Sequence, residues 1–424
     1  MSARTHSPQD QIYGPLNIPS YCWPIIDTPE YQRLRYVAQL GPVQYVFPSA
    51  NHSRFEHCLG CAHLASTLME HFEQTQPELN IKPEYKQIVV IASLCHDLGH
   101  GPYSHLFDEI VRPSCPTWDH EEMGGEILRY IVKTYNVGIP SDIIEAACAA
   151  IKGEEYGDYP KWLFHIIADK KFDIDIDKFD YLARDMNRTL HISKFEYDRL
   201  IVNCRITQGK LSWRLSEIPT IERLFFNRND MHNRVYKHRV ALSIGAMIEN
   251  MFQYINEHLN FAELIKDPKE YCKYDDRIIF LAELGQFGPE AQKIAMDIRY
   301  RRLYKCVGEL RVRPGNVQGE TYSQLPPSKI GDDIAATMNL DSSIFKVIPL
   351  KFRYGISKNK HPLLEVPFWK PGCEEIINLQ PEDISAIVPA YFAETAMRVF
   401  ITDSSQLSVA KQAFEKWLTT SPFF

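Results

Sequence analysis

Eight of the fifteen histidines fall between His52 and His120. A packed core does not require such crowding, because every buried imidazole needs a polar partner. A helix drawn through His57 puts its ring on the face of Cys61, Leu64 and Leu68, so it points inward with the apolar stripe. A second helix through Val89 and Ala92 carries His96 inward. Asp97 then lies about 100° further round, at the helix end before Gly99. A third helix spaces Asp177, Tyr181 and Asp185 at i, i+4 and i+8, so that one carboxylate of this face completes a His-His-Asp-Asp set. Mixed imidazole and carboxylate donors suit iron, manganese, zinc or nickel better than an all-oxygen magnesium cage, and the lack of thiolates weighs against a closed structural zinc site. Open positions on such an ion would hold water or phosphate. Taken singly, His96-Asp97 reads as a helix-end capping pair and His57 as a satisfied core histidine; together they favour the ion. Cys58-Leu59-Gly60-Cys61 has C-x-x-C spacing, but without a second pair and with Cys61 on the apolar face it reads as packing.

The elements that must position these groups are mostly helical. From Tyr31 to about Lys305 apolar residues recur at three- and four-residue spacing, with breaks at Gly41-Pro42, Pro83, Gly101-Pro102 and Pro140. After Gly308 the period becomes two. Leu310 and Val312 alternate with Arg311 and Arg313, and Leu350, Phe352 and Tyr354 with Lys351 and Arg353, which predicts strands. Pro314 to Pro327 reads as a long loop, and a last helix after Asp403 is expected to bury Leu407, Ala410, Phe414 and Trp417. Phe368-Trp369 and Phe423-Phe424 read as core or subunit contact rather than as a base-stacking platform. The fold class is therefore mainly α, a large helical region followed by a smaller C-terminal α+β lobe.

With 424 residues, 45% of them apolar and 24% charged, the chain can bury a large core, which excludes a disordered tail or a disulfide mini-protein. A net charge of -7 argues against a surface built mainly to hold nucleic acid or anionic lipid, leaving only a local basic cleft for such a partner. No stretch reaches the ~18 consecutive apolar residues of a membrane span. Met1 to Gln9 lacks the apolar centre of a signal peptide, and ten scattered cysteines suit reduced thiols, so a nuclear or cytoplasmic protein is expected.

Immediately after His96-Asp97 runs Leu98-Gly99-His100-Gly101-Pro102-Tyr103-Ser104-His105-Leu106-Phe107-Asp108, followed by Trp118-Asp119-His120-Glu121. Here the sequence resembles the HD-domain metal-dependent phosphohydrolases, whose signature is His…His-Asp…Asp, and within them the animal SAM-and-HD-domain dNTP triphosphohydrolases. The likeness is carried by Asp27-Thr28-Pro29 with Gln32-Arg33-Leu34-Arg35, by Arg54-Phe55-Glu56-His57, by His96 to His105, by Asp175-Ile176-Asp177-Lys178 with Asp180-Tyr181, and by Arg301 with Tyr304-Lys305. It runs from about Asp10 to the C-terminus, with no counterpart expected for the SAM domain. It implies an N-terminal segment over 1–26 that contributes to nucleotide and subunit contacts, an HD catalytic domain over 27–307 and the α+β lobe over 308–424.

By that resemblance His57, His96, Asp97 and Asp177 hold a divalent metal (iron, manganese or zinc), Mg2+ accompanies the nucleotide phosphates, and a dNTP is hydrolysed to deoxynucleoside and inorganic triphosphate. His105 is then the acid for the departing 5′ oxygen, with Asp108, His120 and Glu121 to orient or tune it. Arg54, His100, Lys178 and Arg228 match phosphate-contacting positions. Arg228, His232 and Tyr236 also stand at four-residue intervals and so form one pocket wall. Tyr236 and Leu40 crowd the sugar 2′ position, and Gln39, Tyr181 and Asp185 match contacts to the 3′-hydroxyl. The resemblance further implies activation by GTP and a dNTP bound between subunits of a homo-oligomer, dimer to tetramer. Asp27, Gln32, Arg35, Arg301 and Lys305 match its guanine site. Val46, Phe47, Arg199, Arg214, Arg234, His238 and Arg239 match the second, but Ser216 and Thr220 stand where the family has lysine and asparagine, His6 is nearest to a missing lysine, and a late lysine is absent around Leu379. Weaker phosphate binding is expected there. The runner-up readings are another HD phosphohydrolase, acting on cyclic nucleotides or monophosphates, and a non-catalytic nucleotide-sensing or single-strand nucleic-acid-binding protein.

Overall fold

The computed structural model describes residues 6–192, 195–312, 315–355, 360–385 and 388–421. The helical region forms α1 over Arg54–Thr75, α2 over Pro83–Cys95, α3 over His105–Val111, α4 over His120–Thr134, α5 over Ile176–Leu190 and α6 over Ile218–Met231, of which α1, α2 and α5 are the helices expected to carry His57, His96 and Asp177. A capping box starts α1, Ser53 pairing reciprocally with Glu56, so the first turn carrying His57 is fixed by its own sequence. Asp175 caps α5 by accepting from the Lys178 amide at 3.0 Å, which places Asp177 in the first turn.

Close approach of α1 to α5 decides the position of the candidate ligands, and it depends on Gly60. A Cβ there would lie 1.9 Å from Asp180 Oδ2 and 2.6 Å from Arg184 Nη2. Between the two helices sits a buried ion network. Arg184, fully buried, donates to both oxygens of Asp180 at 2.9 and 2.8 Å and to Asp10 at 2.8 Å, while the Tyr13 hydroxyl donates to Asp180 at 2.8 Å. Asp10 and Tyr13 belong to the N-terminal hairpin whose strands are Gln9–Asp10 and Gly14–Pro15, so that hairpin is tied directly to the ligand-bearing helices.

One large apolar cluster runs from Leu16 to Ile298 and takes in Tyr354, Leu363, Val366, Phe368 and Leu379 from the C-terminal stretch. A second cluster belongs to the α+β lobe, where an antiparallel sheet in the order Lys305–Val312, Ala393–Ile401, Phe345–Arg353 packs under the helices Pro327–Ala336 and Leu407–Thr420. Ala410, Phe414 and Trp417 are buried there as expected, whereas Leu407 is only half-buried. Phe368 lies in the large core and Trp369 beside it is half-buried; Arg313, Pro314, Phe423 and Phe424 lie outside the described residues.

Two expectations are corrected. The stretch Tyr31–Lys305 is not helical throughout: Cys204–Thr207 and Lys210–Arg214 form an antiparallel hairpin, joined by a parallel strand at Phe368–Trp369. Gln208 and Gly209 both have positive φ, 49° and 73°, the geometry of a two-residue hairpin turn. The predicted loop from 314 to 327 contains a helix, Val317–Tyr322, because Asn316 caps it by accepting from the Gly319 amide at 2.9 Å. No helix among the described residues is long and apolar enough to cross a membrane.

Candidate active site and metal centre

His57, from the first turn of α1, and His96, at the C-terminal end of α2, bring their Nε2 atoms to 3.1 Å of each other. Asp177 Oδ1 lies 3.1 Å from His57 Nε2 and 3.5 Å from His96 Nε2; Asp97 Oδ2 lies 3.5 and 3.6 Å from the same two atoms. The opposite ring nitrogens are spoken for. His57 Nδ1 faces Asp180 Oδ1 at 2.7 Å, and His96 Nδ1 donates to the Ser93 carbonyl at 2.9 Å. Both Nε2 atoms therefore present lone pairs to each other and to two carboxylates, and separations of 3.1–3.6 Å match neighbouring ligands on an ion with bonds of about 2.0–2.2 Å. Four converging acceptors repel one another unless a cation joins them, so the donor set fits a divalent metal.

The electrostatics point the same way. Burial pulls His96 down, but the carboxylates of Asp97 and Asp177 outweigh it and hold its pKa above the usual value. Burial would raise Asp177, yet the His57 and His96 rings hold it far below the ordinary carboxylate range. Cys61 Sγ lies 3.7 Å from His57 Nδ1, and burial pushes its thiol well up, so it packs beside the ring as a neutral group; Cys58 is buried as well.

The turn after α2 is secured from outside. Buried Arg33 donates to the carbonyls of Leu98 and His100 at 2.8 and 2.9 Å, the Tyr271 hydroxyl donates to Gly99 O at 2.7 Å, and Tyr31 donates to Leu94 O at 3.1 Å. These caps satisfy carbonyls that the helix end leaves free. A Cβ at Gly99 would meet His120 O at 2.0 Å, so this turn lies directly on the start of α4. Tyr103 and Ser104 enter α3 with φ of 58° and 55°, a conformation costly for non-glycine residues. Asp276 Oδ1 accepts from the Tyr103 amide at 2.6 Å and Arg54 Nε donates to Ser104 Oγ at 2.8 Å, which holds the strained pair in place.

These groups open on a cavity of about 670 Å³. His96, Asp97 and Asp177 line it, together with Gln39, Leu40, Arg54, His100, His105, His120, Glu121, Lys178, Tyr181, Asp185, Arg228, His232 and Tyr236. Every position that the sequence assigned to substrate is thus on one cavity. The stripe Arg228, His232, Tyr236 stays on one wall although a π-helical turn, His232–Tyr236, follows α6. Asp108 contacts His105 Nδ1 at 3.3 Å and lies 3.2 Å from His120 Nδ1; its other oxygen accepts from Trp118 Nε1 at 2.8 Å. Burial raises Asp108, but the His105 and His120 rings outweigh it and keep it ionised. Glu121 instead faces Lys170, 3.5 Å away. Tyr236 donates to Asp185 Oδ2 at 2.7 Å, and His52 Nε2 lies 2.7 Å from Asp185 Oδ1, which locks the phenol into the lining of the cavity that Leu40 shares.

The cations are each paired. Arg54 contacts Asp97, Lys178 Nζ lies 2.8 Å from Asp173 and 2.9 Å from Asp175, and Arg228 is 3.8 Å from Asp173. Burial, with Lys237 and Arg228 nearby, pushes His232 down to about 3. An unfolded histidine titrates near ~6.5, so between that pH and about 3 the unfolded chain binds a proton that the folded chain does not, and stability falls as pH drops. His232→Gln removes this penalty, ~2 kcal/mol at about pH 5. Urea unfolding at about pH 5 and pH 8 is expected to show a smaller loss for the variant than for the parent; equal losses would place the charge elsewhere.

Residues 54–185 match the HD domain family, and residues 195–348 match the HD associated region. Over 418 residues the chain is 32% identical to the deoxynucleoside triphosphate triphosphohydrolase SAMHD1 homolog of Dictyostelium discoideum, covering 96% of this chain and 80% of that protein. It is 32% identical to the deoxynucleoside triphosphate triphosphohydrolase SAMHD1 of Bos taurus, over 98% of this chain and 78% of the relative. The chain belongs to the SAMHD1 family. It is an HD-domain hydrolase, and 27% identity to a putative HD domain-containing protein of Acanthamoeba polyphaga mimivirus spans 96% of this chain and 95% of the viral one.

The positions expected to hold activating nucleotides fall into separate local groups within the chain. Arg35 donates to Gln32 at 2.7 Å and lies over Phe55, with exposed Asp27 at the start of the same segment. Arg301 instead donates to the Tyr45 carbonyl at 3.3 Å, next to Val46 and Phe47, and Phe47 meets the His238 ring at 5.8 Å. Arg199 is engaged by Glu217 at 2.7 Å and Arg234 by Asp230 at 3.0 Å, while Arg214, Arg239 and Lys305 are exposed.

Proposed function

We propose that this chain is a metal-dependent dNTP triphosphohydrolase, converting a dNTP and water to deoxynucleoside and inorganic triphosphate. The observation that carries the reading is the convergence of His57, His96, Asp97 and Asp177 beside a cavity that is also lined by Arg54, Lys178 and Arg228. A divalent ion held there, iron, manganese or zinc, would polarise the α-phosphate and lower the pKa of a bound water. A triphosphate brings roughly four negative charges, and Arg54, Lys178 and Arg228 offer them charge-assisted donors in exchange for their present carboxylate partners. Mg2+ with the nucleotide phosphates balances the acidic wall of Asp173 and Asp175.

His105 protonates the leaving 5′ oxygen. Asp108 accepts from its Nδ1, which leaves Nε2 to carry the transferable proton, and Trp118 fixes that carboxylate. Tyr236, clamped by Asp185, and Leu40 leave no partner for a ribose 2′-hydroxyl, while both oxygens of Asp185 keep a lone pair for the 3′-hydroxyl alongside Gln39 and Tyr181. Activation by GTP and dNTP completes the reading: the dispersed Asp27, Gln32, Arg35 and Arg301, Lys305 groups would be joined across subunits of a homo-oligomer. The test is to incubate Mn2+-loaded protein with dGTP, with and without GTP, and resolve the products. Deoxyguanosine with inorganic triphosphate, faster with GTP, is expected; pyrophosphate, orthophosphate or no turnover under either condition overturns the reading.

A further inference from the structure

We propose that His105, Asp108 and His120 form a second divalent-cation site, of the zinc class, whose occupation silences the acid of the hydrolytic reaction. Asp108 is fully buried, and with Oδ1 held by Trp118 it presents a single oxygen, Oδ2, to His105 Nδ1 at 3.3 Å and His120 Nδ1 at 3.2 Å. A tetrahedral ion with bonds of about 2.0–2.1 Å sets its ligand atoms about 3.3 Å apart, which is the separation found on both edges. One donor atom from His100 joins these three, all four lying within 4.8 Å of one another.

Two further observations point to a ligand. His100 is 2% exposed and its Nδ1 has no hydrogen-bond partner, and His120 Nδ1, despite its closeness to Asp108, also lacks one. Buried nitrogens without partners cost free energy that a bound cation recovers. Imidazole and carboxylate donors without thiolate select zinc, cobalt or nickel over magnesium. Arg112 Nη2, 3.9 Å from Asp108 Oδ2, is the competing cation, but its side chain is half exposed and its Nη1 donates instead to Glu109 at 2.9 Å. The site is distinct from the first: no ligand is shared, and His100 stands between them with Nε2 3.3 Å from Asp97 Oδ1.

The consequence follows from exclusion. The His105 side chain is 74% exposed, so an ion from solvent can reach its ring, and a ring that holds an ion cannot also serve as the acid. With an ion on Nδ1 the ring cannot take up the second proton of an imidazolium, and the neutral Nε2–H that remains is too weak an acid to protonate the leaving oxygen. Only this silencing rests on the hydrolytic reading; cation binding does not.

The experiment loads the full chain with one Mn2+, adds Co2+ or Zn2+, removes excess by gel filtration, and reads metal per chain together with the visible d–d absorption of tetrahedral Co2+. Two ions per chain and a tetrahedral spectrum are expected. His120→Gln, at a partly exposed position, and Asp108→Asn are each expected to lose the second ion and keep the first, and His57→Gln to lose Mn2+ while keeping the Co2+ absorption. A single ion in the parent, or a second ion that survives both His120→Gln and Asp108→Asn, overturns the site. At fixed Mn2+ and dNTP, Zn2+ is expected to lower turnover at least tenfold, reversed by a mild chelator; a bound second ion with undiminished turnover overturns the silencing. If the parent lacks dNTP turnover altogether, the hydrolytic reading and the silencing fail together, while metal counts and spectra still decide the site.

Discussion

Asparagine in place of Asp177 is expected to strip the chain of its divalent ion and to lower dNTP turnover by about a thousandfold or more. The side chain is isosteric and 32% exposed, so the substitution leaves the packing of α5 intact. What it removes is charge: one anionic oxygen among four acceptors, the one at 3.1 Å from His57 Nε2 and 3.5 Å from His96 Nε2. Stabilising charge on a transferring phosphoryl group is worth several kcal/mol, and each 1.36 kcal/mol is about tenfold in rate, which sets the size of the loss. Metal content by elemental analysis, far-UV circular dichroism and turnover are measured on the same preparation. A folded variant that retains both its ion and its activity would remove Asp177 from the ligand set.

Much of this centre was readable because its residues obey helical periodicity. His57 and His96 each sit on an inward stripe, and Asp177, Tyr181 and Asp185 share a face of α5, so spacing places His96 and the α5 residues on one cavity with buried His57 against them. The groups that orient the ligands were not read. Asp180 and Arg184 look in sequence like an ordinary i, i+4 surface pair, yet both are fully buried, because Gly60 lets α1 sit directly on them. A glycine four residues before a run of apolar helix positions was the available signal, but it marks close approach without saying to what. Arg33 and Asp276 were missed for a related reason: they bond backbone groups more than 60 residues distant, the Leu98 and His100 carbonyls and the Tyr103 amide, and no local pattern encodes such a contact.

The misread elements have the same origin. The hairpin at Cys204–Arg214 is only nine residues of strand with its turn at Gln208-Gly209, and its strands are stabilised by Phe368–Trp369 from far along the chain. The strand Ala393–Ile401 was not anticipated because all but its first residues are buried, which erases the alternation that betrayed its two neighbours. The positions likened to activator contacts show the limit more sharply: likeness assigns Asp27 and Arg301 to one site, yet within the chain Arg301 reaches the Tyr45 carbonyl instead.

Alanine in place of His105 is expected to lower turnover by about 10²–10⁴-fold while leaving nucleotide binding within a fewfold of the parent. The side chain is 74% exposed and, among the described residues, hydrogen-bonds to Asp108, so its removal costs little stability and opens no cavity. It also leaves Arg54, Lys178, Arg228 and Tyr236, which carry phosphate and sugar binding in this reading, untouched. The split matters: a residue that merely lined the cavity would raise KM with kcat unchanged, whereas loss of the proton donor lowers kcat and kcat/KM together. Binding is followed with a non-hydrolysable dNTP analogue by calorimetry, and turnover by product separation. A variant that turns over at the parent rate, or one that loses analogue binding to the same extent as activity, would take the proton-donor role away from His105 and leave His120, which shares Asp108, as the next residue to test.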